Sequence, residues 1–264
     1  MLSIRNIVII GSGNVAYHIV NAFNNKGIRI LQILARNERS AGPLSEKFNI
    51  PYILDSSGLN KQADLYILAV QDDLISEVAH SLKLKDQLLV HTSGFSPLET
   101  LSGASENTGV FWPLQTLTTG KPTDYQSMPV FVEGSSKENE QLLAALAGLI
   151  SENVRATDSA ARRQVHLAAV IAANLTNHLY NLAASLLEKY KIPFDVLVPL
   201  IKETANKAAM QHPLLNQTGP AIRNDLKVME AHMEMLRDKH EYREIYRLIT
   251  ENIIKLHSKQ NEKL

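Results

Sequence analysis

The stretch of sequence that decides the fold is IVIIGSGNVAYHIVNAF, residues 7–23. Four apolar residues run without interruption to Ile10, and Gly-Ser-Gly follows at once. From Val15 onward, apolar residues recur with helical spacing. A short continuous apolar run bounded by a turn is typical of a strand that is buried on both faces of a parallel sheet. The stretch therefore predicts a buried strand, a tight glycine turn and a helix.

Similar apolar runs alternate with amphipathic segments through the first 150 residues or so. The predicted strands are Arg5–Ile10, Ile30–Ala35, Pro51–Leu54, Leu65–Val70, Leu88–His91, Gly109–Trp112 and Val130–Glu133. Predicted helices include Val15–Asn25, Leu74–Leu82 and Lys137–Ile150, and residues 96–99, Ser-Pro-Leu-Glu, have the pattern of a helix-capping box. This alternation predicts an α/β, Rossmann-type, doubly wound and mostly parallel sheet.

Beyond Asn153 the strand pattern does not recur, and an all-helical region is expected. Asp158 is expected to cap one long helix that reaches about Tyr190, and Asp195 to cap the next. Two further helices are predicted at 224–237 and 241–256. The sequence thus predicts a Rossmann-type α/β domain over residues 1–153 and a helical domain over residues 154–264.

The glycine turn has the spacing Gly11-x-Gly13-x-x-Ala16, which is the Gly/Ala variant of the dinucleotide-binding motif. Gly11 permits the tight turn, Gly13 lets a pyrophosphate approach the backbone, and Ala16 lets the helix pack closely on the strand. The free N–H groups of the first helical turn then face an anion. The alternative is a plain strand-to-helix turn. The residues expected to bind the dinucleotide are Gly11, Ser12, Gly13, Asn14 and Val15, together with Val70 and Gln71 after a later strand.

The end of the second predicted strand indicates which dinucleotide binds. Sites for NAD usually carry an acid there, which binds the ribose 2′-hydroxyl. This chain has Arg36, Asn37 and Arg39 instead, and a guanidinium matches a phosphate. We therefore predict NADP(H) as the cofactor. Two alternatives remain open at this point: the arginines are solvated, or Glu38 supplies the acid.

Ligands of a doubly wound sheet bind beyond the carboxyl ends of its strands, so the loops there are candidates for the substrate site. Ser93 and Gln115 lie in two such loops. In the helical region, regular α-helical geometry places Asn174 about 80° and Asn177 about 20° around the helix from His166. These polar groups stand on an otherwise apolar face, so they either satisfy each other or bind a substrate. His166 is the preferred candidate for a proton donor.

A turn-rich stretch, Thr218-Gly-Pro-Ala-Ile-Arg-Asn-Asp225, places Arg223 and Asp225 at a helix start. Arg223 is a candidate anchor for a substrate carboxylate. Asp225 is either part of the same site or a helix cap.

Composition narrows the possible functions. Lys plus Arg and Asp plus Glu each number 27, so no basic footprint for nucleic acid and no membrane-surface patch is indicated. There are no cysteines, and the widely spaced His232 and His240 do not suggest zinc, so no metal site is predicted. No signal peptide and no apolar run long enough for a membrane span are recognisable. We expect a cytoplasmic protein.

Several motifs together resemble a bacterial family whose N-terminal half is similar to deazaflavin-dependent NADP oxidoreductases and whose C-terminal half is a helical domain of unassigned function. These motifs are Gly11-Ser-Gly-Asn-Val-Ala16, His91-Thr-Ser-Gly94, Pro113-Leu-Gln-Thr116, His166-Leu-Ala-Ala-Val170 with Asn174, and Thr218-Gly-Pro220 with Arg223 and Asp225. The chain is more distantly similar to pyrroline-5-carboxylate reductase and to the 6-phosphogluconate and hydroxyacid dehydrogenases. The resemblance implies a homodimer formed through the helical domain, with which the alanine-rich stretch 168–184 agrees.

Two departures from these relatives limit what is transferred. Trp112 stands where many members of the family have a histidine, and the Lys-x-x-x-Asn pair of hydroxyacid dehydrogenases is absent. The leading interpretation is an NADP(H)-dependent oxidoreductase that moves a hydride to or from a small C=O or C=N substrate. The alternatives are a non-catalytic dinucleotide-binding sensor or partner-binding protein, and a methyltransferase using S-adenosylmethionine, against which the basic second-strand end argues.

Overall fold

The structure is a computed structural model that describes residues 4–24 and 26–261, with side chains up to Ser258. Asn25, the predicted last residue of the first helix, lies outside the described residues. The chain divides into two compact units, Met1–Asn174 and Leu175–Leu264.

The first unit contains an eight-stranded sheet. Its strands are β1 Asn6–Ile10, β2 Arg29–Leu34, β3 Tyr52–Ile53, β4 Leu65–Leu68, β5 Leu88–His91, β6 Asn107–Pro113, β7 Val130–Gly134 and β8 Val154–Ala156, in the order β3-β2-β1-β4-β5-β6-β7-β8. Every neighbouring pair is parallel except β6 and β7. The strand order reverses at β1: β2 and β3 lie on one side of it, and β4 and the later strands lie on the other. Doubly wound sheets bind ligands at such a point. The predicted fold class is confirmed.

The helices of the first unit are α1 Asn14–Phe23, α2 Glu38–Phe48, α3 Ile75–Ser81, α4 Lys137–Ala147 and α5 Ser159–Ala169. The chain then continues through a π-helical segment, Val170–Leu175, into α6 Thr176–Glu188. The second unit also contains α7 Val198–Met210, α8 Leu226–Met235 and α9 His240–Asn261.

The apolar runs of the sequence form the core of the first unit. All four residues of β4 are buried, as are the last four of β1, Ile7–Ile10. Helix α1 buries Ala16, Ile19, Val20 and Phe23 in the cluster that covers one face of the sheet. Each large apolar side chain buried in this way stabilises the fold by roughly 1.5–3 kcal/mol. This packing fixes the turn between β1 and α1.

Four local predictions were wrong or incomplete. Residues 96–99 do not cap a helix: they lead into a single 3₁₀ turn, Leu98–Leu101, because the Ser96 backbone is bonded to Ser93 and Arg162 instead. β8 was missed because this short strand lies at the edge of the sheet, and two of its three residues are exposed. Helix α2 was not predicted. Asp195 does not cap the next helix as predicted, because it lies inside a 3₁₀ turn, Phe194–Leu197. Helix α7 begins after Leu197, with a proline in its first turn.

The long helix predicted from Asp158 to Tyr190 forms, but it is not uniform. Asp158 caps it as expected, its Oδ1 accepting from the Ala161 N–H at 2.7 Å. The π-helical segment Val170–Leu175 interrupts it, and the boundary between the two units falls there. Helix α5 belongs to the sheet unit, whereas the sequence-based domain boundary was placed at 153/154. Among the described residues, no helix has the length and apolar character needed to cross a bilayer.

Candidate cofactor and substrate site

The turn after β1 has the geometry that the glycine motif requires. Gly11 has φ +117°, and its N–H donates to the Leu34 carbonyl at 2.8 Å. A Cβ on Gly11 would lie 2.1 Å from the Ala69 carbonyl oxygen, so no side chain fits there. A Cβ on Gly13 would meet nothing within 4 Å. The backbone is therefore tightly packed at Gly11 and open at Gly13, where the α1 N-terminus begins.

A pocket of about 820 Å³ opens beside this turn, at the carboxyl ends of β1, β2 and β4. Its volume is in the range of cofactor sites. The predicted residues that line it are Gly11, Ser12, Gly13, Asn14, Val15, Arg36, Asn37, Val70 and Gln71. Arg39 is exposed but does not line it. Ser40 and Thr92 also line it and were not predicted, although both lie in stretches that the sequence singled out.

At the end of β2, the one acidic candidate has another partner. The Glu38 carboxylate accepts a hydrogen bond from the Tyr52 hydroxyl at 3.0 Å, and this bond raises the pKa of Tyr52. Arg36 and Arg39 are exposed, and neither forms an ion pair in the part of the chain that the structure describes. The unpaired Arg36 at this end of the pocket suits a phosphate. Asp55 and Glu77 also line the pocket.

The loops of β1 and β2 are joined directly. The Ser12 hydroxyl donates to the Ser40 hydroxyl at 2.8 Å, and Asn37 caps α2 by accepting from the Ser40 N–H at 3.0 Å. These bonds hold together the two loops that border the pocket, after β1 and after β2. An open glycine, a helix N-terminus and the unpaired Arg36 in one groove fit a phosphorylated dinucleotide.

His166 on α5 lies against the loop after β5. A Cβ on Gly94 would come within 2.7 Å of His166 Nδ1 and 2.6 Å of two Trp112 ring carbons, so the loop approaches this closely only as glycine. The His166 ring centroid is 5.9 Å from that of Trp112 and 6.2 Å from that of Phe95. Within the described residues, neither ring nitrogen of His166 has a hydrogen-bond partner. An aromatic recess thus holds a half-buried imidazole with free nitrogens.

The loop itself is held by a buried cation that the sequence interpretation missed. Arg162 is completely buried and donates to the carbonyls of Ser93, at 3.0 Å, and Ser96, at 2.8 Å. Its ion pair with Glu133, at 2.9 Å, neutralises the buried charge. Arg162 thereby ties α5 to the loop, and with it His166 to Gly94.

Ser93 is buried, and its hydroxyl is fully engaged. It donates to the Asp72 carboxylate at 2.8 Å and accepts from the N–H groups of Phe95 and Ser96. It links the loops after β4 and β5. His91, just before it, is completely buried, and its Nδ1 accepts from the Ser93 N–H. Burial, with the positive charge of Arg162, lowers the pKa of His91 to about 4, so His91 is neutral at physiological pH.

The remaining predicted residues are exposed. Gln115 accepts from the N–H and hydroxyl of the neighbouring Thr116. Asn174 lies in the π-helical segment, where a turn holds about one residue more than an α-turn. The predicted angle of about 80° from His166 therefore does not hold, and Asn174 is rotated back toward the His166 direction. Arg223 lies in the second unit, where Asp225 caps α8 through the Val228 N–H. Among the described residues, no cluster of metal ligands is found.

Comparison with known proteins decides the family. Residues 6–94 match the model of the coenzyme F420-dependent NADP oxidoreductases, and residues 128–253 match a domain of unknown function, DUF2520. A Bacteroides fragilis protein assigned to the NADP oxidoreductases is 39% identical, with a TM-score of 0.90 over 95% of this chain and 98% of that one. The chain belongs to this NADP oxidoreductase family. The predicted cofactor, NADP(H), is the one that the family's name carries.

More distant members of the fold are also similar along nearly their whole length. A reductive aminase from Aspergillus terreus, in complex with NADPH and ethyl-5-oxohexanoate, has a TM-score of 0.71 at 13% identity, covering 96% of this chain and 94% of that one. A pyrroline-5-carboxylate reductase from Coxiella burnetii has a TM-score of 0.58 at 16% identity, covering 97% and 98%. At these low sequence identities, the TM-scores show a shared fold. No curated protein matches the sequence significantly.

Proposed function

We propose that this member of the NADP oxidoreductase family transfers a hydride between NADP(H) and a C=O or C=N group of a small substrate. The observation that carries the proposal is the 820 Å³ pocket, which runs from an unpaired arginine at the end of β2, past an open glycine, to the loop after β5. A phosphate, a pyrophosphate and a nicotinamide would bind along it in that order.

The cofactor-binding residues divide by the part that they contact. Arg36, Asn37 and Arg39 bind the 2′-phosphate, since Glu38, the acid beside them in the sequence, is bonded to Tyr52. The turn from Gly11 to Val15 binds the pyrophosphate through backbone N–H groups at the start of α1. Val70 and Gln71 contact the nicotinamide half. When bound, NADPH supplies the hydride.

His166 is proposed as the catalytic proton donor. Its two ring nitrogens are free of protein partners, and Trp112 and Phe95 flank the ring. When protonated, it transfers a ring proton to the acceptor oxygen or nitrogen as the neighbouring carbon is reduced. When neutral, its N–H polarises the same atom by hydrogen bonding.

The other predicted site residues take supporting roles in this proposal. Ser93 positions the loop, because its hydroxyl is engaged by Asp72 and two backbone N–H groups. Gln115 and Asn174 offer amides to the substrate. A reductive aminase and a pyrroline-5-carboxylate reductase have the same fold, which supports C=N and C=O groups as the substrate classes of this proposal.

We also propose that the helical domain forms a homodimer. Its unit leaves large apolar side chains exposed, more than a monomer surface needs. These include Tyr190, Leu200, Met210, Leu215 and Met235, each more than 60% exposed.

A screen of NADPH oxidation against keto acids, imines and a deazaflavin tests the proposed activity. With the substrate found, His166→Ala should lower turnover by roughly two to four powers of ten. Its NADPH affinity should be unchanged, because the glycine turn is intact. His178→Ala, which removes an exposed histidine of α6, is the matched control and should retain activity. Tight NADPH binding without turnover of any acceptor would instead favour the sensor.

A further inference from the structure

The loop between β6 and β7 is fastened to one face of the cofactor-binding helix. This segment, residues 114–129, is called the strap below. Its partners on α1 are Asn14, His18 and Asn21, which are spaced by four and three residues and therefore lie on one side of the helix. The two partners of each bond are separated by 100 to 107 positions of sequence.

A buried histidine of α1 binds the strap at two points, Thr118 and Tyr125. His18 is 2% exposed, and its Nε2 lies 2.9 Å from the Thr118 carbonyl, which can only accept. The proton is therefore on Nε2, and Nδ1 accepts from the Tyr125 hydroxyl at 2.8 Å. The same hydroxyl accepts from the Asn21 amide at 2.9 Å. Each polar group in this network has a partner of the right kind, which holds the strap in one position.

Thr119 of the strap determines the orientation of the Asn14 side-chain amide. Asn14 Oδ1 accepts from the Thr119 N–H at 3.0 Å and from the Thr119 hydroxyl at 2.7 Å. The backbone N–H is a donor only, so an amide turned the other way would bring two donors together. The Asn14 NH₂ group must therefore face away from Thr119. In the described part of the chain, no protein acceptor meets it.

Asn14 is also the first residue of α1 and lines the 820 Å³ pocket beside Gly13. An NH₂ group at this place adds two side-chain donors to the backbone N–H groups of the first turn. Their natural acceptor is an anionic oxygen of the dinucleotide.

We propose that Thr119 is a positioning residue for the cofactor, which holds the Asn14 amide so that its NH₂ group donates to the pyrophosphate. This inference rests on the proposed function, because it takes NADPH as the ligand of the pocket. It extends the cofactor site to a residue of a distant loop that carries no part of the glycine motif.

Calorimetric titration with NADPH tests the inference. Asn14→Asp keeps both bonds to Thr119 but replaces the NH₂ donor by a carboxylate oxygen, and should weaken binding by about 10- to 100-fold. Thr119→Val removes one of the two bonds that orient the amide and should weaken binding by about 3- to 10-fold. Thr116→Val, which removes a strap hydroxyl bonded only to its neighbour Gln115, is the matched control and should bind like the wild type.

A double-variant cycle separates positioning from general damage to the strap. In an Asn14→Ala background, Thr119→Val should change NADPH affinity by less than about twofold, because the amide that it orients is gone. Binding of adenosine 2′-monophosphate, which lacks the pyrophosphate, should be unaffected by every one of these variants.

Equal losses from Thr119→Val in both backgrounds, or wild-type affinity of Asn14→Asp, would overturn the inference while leaving the cofactor assignment intact. Failure of the wild type to bind NADPH or adenosine 2′-monophosphate would overturn the proposed function itself, and the positioning role with it.

Discussion

A methyl group added at Gly13 should separate folding from cofactor binding. Gly13 has φ −83° and ψ −168°, an extended conformation open to any residue, and its added Cβ would meet nothing within 4 Å. Gly13→Ala should therefore change the stability of the free protein by less than about 1 kcal/mol, because the reduced entropy of the unfolded chain is opposed by the poorer fit of alanine to the N-cap position of α1. In the complex, the methyl would occupy the space through which the pyrophosphate reaches α1.

The expected loss of affinity follows from that overlap. Forcing a methyl group into a packed contact costs roughly 1–3 kcal/mol, which corresponds to about a 5- to 150-fold weaker Kd for NADPH. Thermal unfolding measures the first effect and calorimetric titration the second. Gly42→Ala in α2, where an added Cβ also meets nothing within 4 Å outside its chain neighbours, is the control and should bind NADPH normally, because it lies away from the pocket. A Gly13→Ala protein that binds NADPH as tightly as the wild type would refute the placement of the pyrophosphate.

Three further predictions concern the substrate side and the assembly. Because the pKa of His91 is lowered to about 4 in the folded protein, the unfolded chain binds a proton that the folded chain excludes between about pH 6.5 and 4. The free energy of unfolding should therefore fall as the pH falls through this window, by about 3 kcal/mol at most, and His91→Asn should lose this dependence in denaturant titrations at several pH values. Gly94→Ala should destabilise the protein by roughly 1–3 kcal/mol in the same assay, since its Cβ would lie 2.6 Å from the buried Trp112 ring; wild-type stability would mean that the loop is free to move. Light scattering should give a dimer mass at micromolar concentration, and a monomer mass would contradict the assembly through the helical domain.

The parts of the fold that the sequence predicts well are those specified by neighbouring residues. The apolar run of β1, the φ of Gly11 and the small Ala16 are all encoded within ten residues, and the structure has each as expected. The cap at Asp158 is equally local. The doubly wound, mostly parallel sheet then follows, because short buried strands that alternate with helices have few arrangements open to them.

The features that were missed depend on contacts between distant residues. Arg162 looks like an ordinary surface residue of a helical turn, yet it is buried by partners 29 to 69 positions away. The partnership of Asn14 with Thr119 spans 105 positions. No periodicity in a single sequence reports such pairs.

Ser93 illustrates the same limit at the candidate site. Its place after a strand indicated a substrate contact, but its hydroxyl is turned into the loop, where Asp72 and two backbone N–H groups use it. The π-helical segment is another case, since Val-Ile-Ala-Ala-Asn-Leu suits a regular α-helix equally well. The sequence thus indicates which elements carry the candidate site, while the orientation of individual polar groups depends on the packed structure.

The most direct test of the assignment of this pocket to NADP(H) is a calorimetric comparison of NADPH with NADH as ligands of the wild-type protein and of Arg36→Asp. The wild type should bind NADPH more tightly than NADH, because Arg36 lines the pocket unpaired while Glu38 is bonded to Tyr52. A charge-assisted contact of this kind contributes roughly 1.5–3 kcal/mol, so Arg36→Asp should remove most of the preference or reverse it. Equal affinity of the wild type for NADH and NADPH, or binding of neither, would contradict the assignment of this pocket to NADP(H).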